Sequence, residues 1–236
     1  MNFASDKNDS GKITVNFQIM PIFFQQDIDD DTRLGIWRIE EDEDFFLKSV
    51  VLQRNVSHPH KKLQHLAGRY LLKYLFPDFP LFLILIADTR KPYLENEAYH
   101  FSISHCGDFA AAIVSKTKRV GVDIEIPTEK IIRISHKFFN QQETIMLNQW
   151  NGFDTEELST LVWSSKEAMF KWWGNGNIDF SEMLRLSGNQ LQHEGSLMGN
   201  FIKDGVDSSF PVHYKFFDKL ILAWVHTEPA LADPIN

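Results

Sequence analysis

The stretch from Arg119 to Ile126 reads Arg-Val-Gly-Val-Asp-Ile-Glu-Ile and places two carboxylates two residues apart inside an apolar run. Because strand side chains alternate between the faces of a sheet, this stretch predicts a strand with Asp123 and Glu125 on one face. The opposite face would be packed against a core by Val120, Val122, Ile124 and Ile126. Two interpretations remain open: a half-buried strand with a polar outer face, or a pair of oxygen ligands for a hard cation.

A further acidic residue belongs to a helix that the sequence predicts over residues 154–173. At about 100° per residue, one side of this helix collects Leu158, Leu161, Val162, Ser165, Ala168, Met169 and Trp172. Glu167 lies nearly opposite, with Lys171 one turn later and Trp163 one turn earlier. A solvated face with a Glu-to-Lys pair would explain the two charges. Large aromatic side chains beside Glu167, namely Trp163 and Phe170, instead indicate that another part of the chain covers this face.

Composition bounds the class of protein. The chain has 236 residues, 43% of them hydrophobic and 24% charged, which is typical of a globular protein with one large or two small domains. Its formal net charge of −8 argues against general affinity for nucleic acid or an anionic membrane. One cysteine, Cys106, excludes an intramolecular disulfide. Residues 1–12 are polar, and no apolar run has the length of a membrane span, so a cytoplasmic location is expected.

A basic surface accompanies a helix predicted over residues 58–76, which Pro77 ends. Its apolar stripe consists of Leu63, Leu66, Ala67, Tyr70, Leu71 and Tyr74. The positive charges around it are those of Lys61, Lys62, Arg69 and Lys73. A solvated basic face and a phosphate-binding surface both fit this pattern.

Strands are predicted over residues 13–20, 99–105 and 109–115. The last two would form three adjacent antiparallel strands with the carboxylate strand. Helices are predicted over residues 131–139 and 141–150, the second beginning at Asn140 with Glu143 as its capping partner. The order of strands and helices indicates an α+β protein.

Several segments, in this order along the chain, resemble the 4′-phosphopantetheinyl transferases of the Sfp type. Arg90-Lys91-Pro92 is similar to the family's Gly-Lys-Pro segment, with Arg90 where glycine is usual, and Phe101-Ser102-Ile103-Ser104-His105 is similar to its Phe-Asn-x-Ser-His strand. Gly121-Val122-Asp123-Ile124-Glu125 and Trp163-Ser164-Ser165-Lys166-Glu167-Ala168-x-x-Lys171 resemble its two acidic motifs. Phe138 to Glu143 resembles its Phe-Phe-x-x-x-Glu segment.

This resemblance implies a fold of two similar α/β halves related by a pseudo-twofold, with the cofactor in the cleft between them. Residues 1–120 would form the N-terminal half, on the side of the 3′-phosphate of coenzyme A. Residues 121–236 would form the C-terminal half, with the metal site and the Trp-Ser-Ser-Lys-Glu-Ala helix. A chain with both halves needs no second subunit to build the cleft, so a monomer is expected.

The implied activity is Mg²⁺-dependent transfer of the 4′-phosphopantetheine group of coenzyme A to a serine of an acyl or peptidyl carrier protein. The resemblance makes Asp123, Glu125 and Glu167 the metal ligands, Glu167 also the candidate base and Lys171 a ligand of the pyrophosphate. It assigns coenzyme A to Lys61, Lys62, Arg69, Arg90, Lys91, Pro92, Ser104, His105, Lys166 and Lys171. Two alternatives are a catalytically inactive coenzyme A-binding module and a metal-dependent phosphoesterase.

Overall fold

The computed structural model describes residues 22–52, 56–203 and 205–229, and the strand predicted over residues 13–20 lies outside them. The elements up to Ser115 are β1 (Ile22–Asp29), β2 (Thr32–Arg38), α1 (Glu43–Leu47), α2 (Pro59–Leu75), β3 (Ile84–Ile86), β4 (Pro92–Leu94), β5 (His100–Cys106) and β6 (Phe109–Ser115). The remaining elements are β7 (Arg119–Glu125), α3 (Glu129–Ile134), α4 (Gln141–Leu147), α5 (Thr155–Trp173), β8 (Leu184–Ser187), β9 (Glu194–Lys203), β10 (Val206–Phe216) and β11 (Ile221–Thr227).

Two antiparallel sheets organise these elements, so the protein is of mixed α and β class. The first has the order β1-β2-β6-β5 and the second β7-β11-β10-β9-β8, while β3 and β4 form a separate hairpin. The prediction that β5, β6 and β7 are three adjacent strands is wrong, because β2 and β5 already occupy both edges of β6. The carboxylate strand β7 pairs with β11 and begins the second sheet.

The two sheets pack face to face between two helices. Residues of α2 and the first sheet share one core, and residues of α5 and the second sheet share another. A third core lies between the sheets and contains Leu34, Ile36, Ala111, Ile113, Val122, Ile124, Leu222 and Trp224. The alternation on β7 is confirmed, because its valine and isoleucine side chains face this third core while Asp123 faces α5.

Local signals fix where the helices begin and end. Asp154 and Glu157 form a capping box at the start of α5, with the Glu157 N–H donating to Asp154 Oδ1 over 2.8 Å. The helix ends at Gly174, whose φ of +83° suits glycine. The capping box predicted for Asn140 and Glu143 is confirmed at the start of α4. Among the described residues, no helix is long and apolar enough to cross a membrane.

A stacked histidine pair lies on the face of the second sheet that carries Trp224. His213 stacks on His226 with ring centroids 5.0 Å apart, and on Trp224 at 5.4 Å. Its Nε2 atom is buried and has no hydrogen-bond partner among the described residues. Burial, and then the neighbouring His226, lower the pKa of His213 to about 4. The folded state therefore resists protonation of this ring.

We predict that His213→Phe removes part of the acid sensitivity of the fold, because phenylalanine keeps the stack and does not titrate. Between pH 6.5 and pH 4 the unfolded chain binds a proton at His213 that the folded chain does not, so the wild-type free energy of unfolding falls as pH falls through this window. The variant should lose less stability, by at most about 3 kcal/mol. Urea unfolding at pH 7 and pH 4.5 measures this, and equal losses in both proteins would contradict it.

Candidate active site

A glycine on β7 allows α5 to lie directly on the carboxylate strand. A Cβ atom at Gly121 would lie 2.1 Å from the carbonyl oxygen of Ala168 and 2.6 Å from the backbone nitrogen of Trp172. No side chain larger than hydrogen fits there while the helix keeps its position. This close approach brings the Glu167 and Lys171 face of α5 onto Asp123.

Asp123 is the centre of the site. Its side chain is 4% exposed, and its Oδ1 atom accepts hydrogen bonds from Ser104 Oγ and Lys171 Nζ, both at 2.7 Å. Lys171 Nζ also donates to Ser104 Oγ over 2.9 Å. The Oδ2 atom is buried and has no partner among the described residues. A buried carboxylate oxygen without a donor is costly, so this atom is a candidate position for a cation.

Glu125 lies two residues along the same face of β7. The Trp163 indole N–H donates to its Oε1 atom over 3.4 Å. Burial, and then repulsion from Asp123, raise the pKa of the Glu125 carboxyl. The Cys106 thiol is half-buried beside it, and burial together with Glu125 raises the pKa of this thiol to about 12. Cys106 therefore stays protonated, as a hydrogen-bond donor to Glu125 and not as a nucleophile.

Glu167 is half-buried on the face of α5 that covers β7. Burial raises its pKa to about 7, with Asp123 the larger and Glu125 the smaller repulsive neighbour, while Lys171 opposes the shift. Three carboxylates thus share one buried region with the ammonium group of Lys171. Mutual repulsion of this kind favours protonation of one of the carboxylates or binding of a metal cation between them.

The residues present fit a hard cation by their chemistry. They supply carboxylate oxygens, which Mg²⁺ prefers, and one of these, Asp123 Oδ2, receives no hydrogen bond from the residues that the structure describes. Among the described residues, however, no three His, Cys, Asp or Glu side chains are already grouped as a metal site. The two findings are compatible because repulsion between buried charges acts over longer distances than metal–oxygen bonds. In this arrangement the Lys171 ammonium occupies Asp123 Oδ1.

Ser104 and His105 are placed apart by the alternation of β5. Ser104 is buried and belongs to the Asp123 cluster. His105 faces the other way, toward α2, where its ring meets His65 edge to face at 5.3 Å. The structure therefore brings Ser104 to the carboxylates and His105 to the basic helix.

Lys61, His65 and Arg69 lie four residues apart on one stripe of α2, beside His105. Lys62 points elsewhere and forms an ion pair with Glu43. Sequence reasoning missed His65, although its spacing between Lys61 and Arg69 could have revealed it. The stripe and His105 together form a surface rich in positive charge and hydrogen-bond donors.

The loop with Arg90, Lys91 and Pro92 contacts the end of α5. Thr89 Oγ1 donates to the Gly174 carbonyl over 3.1 Å, and a Cβ atom at Gly174 would lie 2.5 Å from Lys91 Nζ. Burial, and then the nearby Arg119, lower the pKa of Lys91 to about 8. Arg90 has a φ of +68°, a left-handed conformation that favours glycine. Within the part of the chain that the structure describes, the hydrogen-bond partners of Asp123 are Ser104 and Lys171 and not residues of this loop.

The structure contradicts the assignment of Lys166 to coenzyme A, because the side chain of Lys166 is 0% exposed. Its ammonium donates to Glu143 Oε2 over 2.7 Å, to the Phe138 carbonyl over 2.5 Å and to the Phe180 carbonyl over 2.8 Å. An ammonium has three donors, and all three are used inside the protein. Lys166 is therefore a structural residue here, because its side chain is directed from α5 to Glu143 of α4 and not to the half-buried region around Glu167.

The arrangement thus combines the acidic residues and the lysine around Asp123 with the basic helix α2, which meets β5 at His105. Residues 119–223 match the family model described as the 4′-phosphopantetheinyl transferase superfamily. The matched region, which is similar to that superfamily, holds Asp123, Glu125, Glu167 and Lys171.

Curated relatives extend this comparison. The chain is 32% identical over 114 residues to enterobactin synthase component D of Escherichia coli O157:H7, covering 47% of this chain and 54% of that protein. It is 28% identical over 156 residues to a putative 4′-phosphopantetheinyl transferase of Haemophilus influenzae, covering 63% and 62%. It is also 29% identical over 126 residues to the 4′-phosphopantetheinyl transferase gsp of Aneurinibacillus migulanus, covering 52% of each. The chain thus spans about half to three fifths of the length of these relatives.

We predict that Glu167→Gln stabilises the metal-free protein at pH 8. Because the folded pKa of Glu167 is raised from 4.5 to about 7, the stability that its protonated form provides below pH 4.5 is lost as pH rises through 7. Glutamine removes the cost of burying this charge and its repulsion from Asp123, and the gain should be about 1–3 kcal/mol. Urea unfolding in the presence of a chelator measures it, with the exposed Glu95→Gln as the control that changes stability little. A destabilised Glu167→Gln protein would refute the predicted repulsion.

Proposed function

We propose that the protein is a 4′-phosphopantetheinyl transferase of the Sfp type, which transfers 4′-phosphopantetheine from coenzyme A to a serine of an acyl or peptidyl carrier protein. The observation that carries this proposal is the buried Asp123 cluster, in which α5 places Glu167 and Lys171 against the carboxylate strand. The superfamily match of residues 119–223 and the names of the relatives support it.

In the proposed reaction, the serine oxygen of the carrier attacks the phosphorus atom that bears the pantetheine arm. The bond from this phosphorus to the oxygen that bridges the two phosphates breaks, and adenosine 3′,5′-bisphosphate leaves. The serine proton passes to a base. Glu167 suits this role because a base is most effective when its pKa lies near the working pH, and its pKa is raised to about 7.

Asp123, Glu125 and Glu167 would hold Mg²⁺ in this proposal. The ion would supply charge neutralisation at the pyrophosphate and a fixed alignment of its oxygens. Glu167 then has competing roles as ligand and as base, directly or through water. Lys171 would exchange its contact with Asp123 for a pyrophosphate oxygen, because an ammonium gains from either partner.

Lys61 and Arg69 on the stripe of α2 would bind the 3′-phosphate of coenzyme A together with His105 on β5, and Lys62 lies nearby. Arg90, Lys91 and Pro92 would line the nucleotide end of the site. Residues 1–120 and residues 121–236 would form two halves related by a pseudo-twofold. Each half would be built around one of the two sheets, with coenzyme A in a cleft between the halves. The proposed enzyme acts as a monomer in the cytoplasm.

We predict that an apo carrier protein incubated with this protein, Mg²⁺ and coenzyme A gains the mass of one phosphopantetheine group. Chelation with EDTA and Asp123→Ala should each abolish the gain, while circular dichroism shows a folded variant. Intact-mass spectrometry measures the product. No gain across several carriers with coenzyme A bound would favour an inactive binding module, and release of phosphate without a carrier would favour a phosphoesterase.

We predict that Lys171→Met weakens coenzyme A binding about 10- to 100-fold, since a hydrogen bond to a charged group contributes about 1.5–3 kcal/mol. Titration calorimetry measures the dissociation constant. Lys48→Met is the matched control, because Lys48 is exposed at the C-terminal end of α1 and belongs neither to the basic surface of α2 nor to the Asp123 cluster. Equal binding by the Lys171 and Lys48 variants would exclude Lys171 as a pyrophosphate ligand.

A further inference from the structure

Trp163 lies in an aromatic cluster beside the carboxylates. Its ring stacks on Phe180 with centroids 5.6 Å apart and planes at 21°, and packs on Phe138 at 5.1 Å. The indole N–H is directed out of this cluster, toward Glu125 Oε1 at 3.4 Å. The ring is thus held on its apolar surfaces while its polar atom meets a candidate metal ligand.

The backbones of Phe138 and Phe180 are held in place by hydrogen bonds to a buried lysine. Their carbonyl oxygens are the two that accept hydrogen bonds from the Lys166 ammonium, at 2.5 Å for Phe138 and 2.8 Å for Phe180. Because the aromatic neighbours of Trp163 are tied to one buried cation on its own helix, the orientation of the indole relative to α5 is set by that cation.

Glu143 secures the cation. Its Oε2 atom accepts from Lys166 Nζ and from the Asn140 N–H at 3.0 Å, while its Oε1 atom accepts from the Leu186 N–H at 2.9 Å. Both charged side chains are 0% exposed. A buried pair with every partner satisfied contributes more to a unique geometry than to net stability. Helices α4 and α5 and strand β8 are thereby joined behind Trp163.

We propose that Trp163 is a positioning residue, which holds the Glu125 carboxylate in the orientation in which it binds the divalent cation. This inference rests on the proposed function, since it takes Glu125 as a metal ligand. A glutamate side chain has three rotatable bonds, and repulsion from Asp123 favours its turning away. The indole N–H opposes that motion, because it donates to the ionised carboxylate. Outer partners of metal ligands typically change affinity 10–100-fold.

The variant that tests this is Trp163→Phe, which keeps an aromatic ring in the cluster and removes the donor to Glu125 together with part of the indole ring. Binding of Mn²⁺, measured by electron paramagnetic resonance in the presence of coenzyme A, should weaken about 10-fold or more. Phe170→Leu is the matched control: Phe170 packs on Phe180 at 5.5 Å but donates to no carboxylate, so this variant should bind Mn²⁺ like the wild type. Thermal unfolding confirms that each variant is folded.

A third variant, Glu125→Gln, separates the proposed role of Trp163 from the proposed metal site. Glu125→Gln should bind Mn²⁺ weakly if the proposed metal site is correct. If Glu125→Gln loses binding and Trp163→Phe does not, the positioning role is overturned and the proposed function stands. If the wild type binds no Mn²⁺, the metal site and the role of Trp163 both fail.

A measurement on the unsubstituted ring covers the case in which Trp163→Phe does not fold. The indole ¹⁵N–¹H resonance of Trp163 should move when Mg²⁺ is added to the wild-type protein with coenzyme A, and should move again in Glu125→Gln. A resonance unchanged by both would overturn the proposal, because an N–H bonded to the carboxylate senses its charge.

Discussion

The buried contact between Asp123 and Lys171 is the interaction on which the site depends. Removing a carboxylate and an ammonium from water costs several kcal/mol for each ion, and their attraction offsets this cost only when the geometry is good. Here the two charges meet at 2.7 Å, and Ser104 donates to the same oxygen. The contact forms because Gly121 lets α5 lie on β7 without an intervening side chain. The position of α5 on the second sheet and the contact between the two charges therefore both depend on this close approach at Gly121.

The remaining carboxylates make this arrangement a compromise between stability and function. One ammonium cannot neutralise Asp123, Glu125 and Glu167, and the raised pKa values of the two glutamates are the consequence. A fold selected for stability alone would place apolar side chains on this face. A cation would relieve the same repulsion, so the electrostatic features that destabilise the metal-free protein are those that would give a metal its affinity.

Much of this site could be predicted from periodicity. Alternation on β7 places Asp123 and Glu125 together, and helical spacing in α5 places Glu167 and Lys171 on one face, because both patterns are local properties of the chain. Partners distant in sequence are not local. The use of Lys166 as a buried tie depends on Glu143, on a different helix, and on two carbonyl oxygens that no side-chain pattern reveals. The pairing of β7 with β11 is likewise not local, because it places Ala223 opposite Asp123.

The loop at Arg90 shows how a departure from the family's glycine is accommodated. A left-handed residue other than glycine costs about 1 kcal/mol or more, since its Cβ atom crowds the backbone. Contacts on either side of Arg90 hold the loop in place: Thr89 donates to the Gly174 carbonyl, and Lys91 packs where a Gly174 side chain would be. Gly174 itself ends α5 in a left-handed conformation. The loop and the helix end therefore restrain each other, and Arg90 keeps an exposed cation at the nucleotide end of the proposed site.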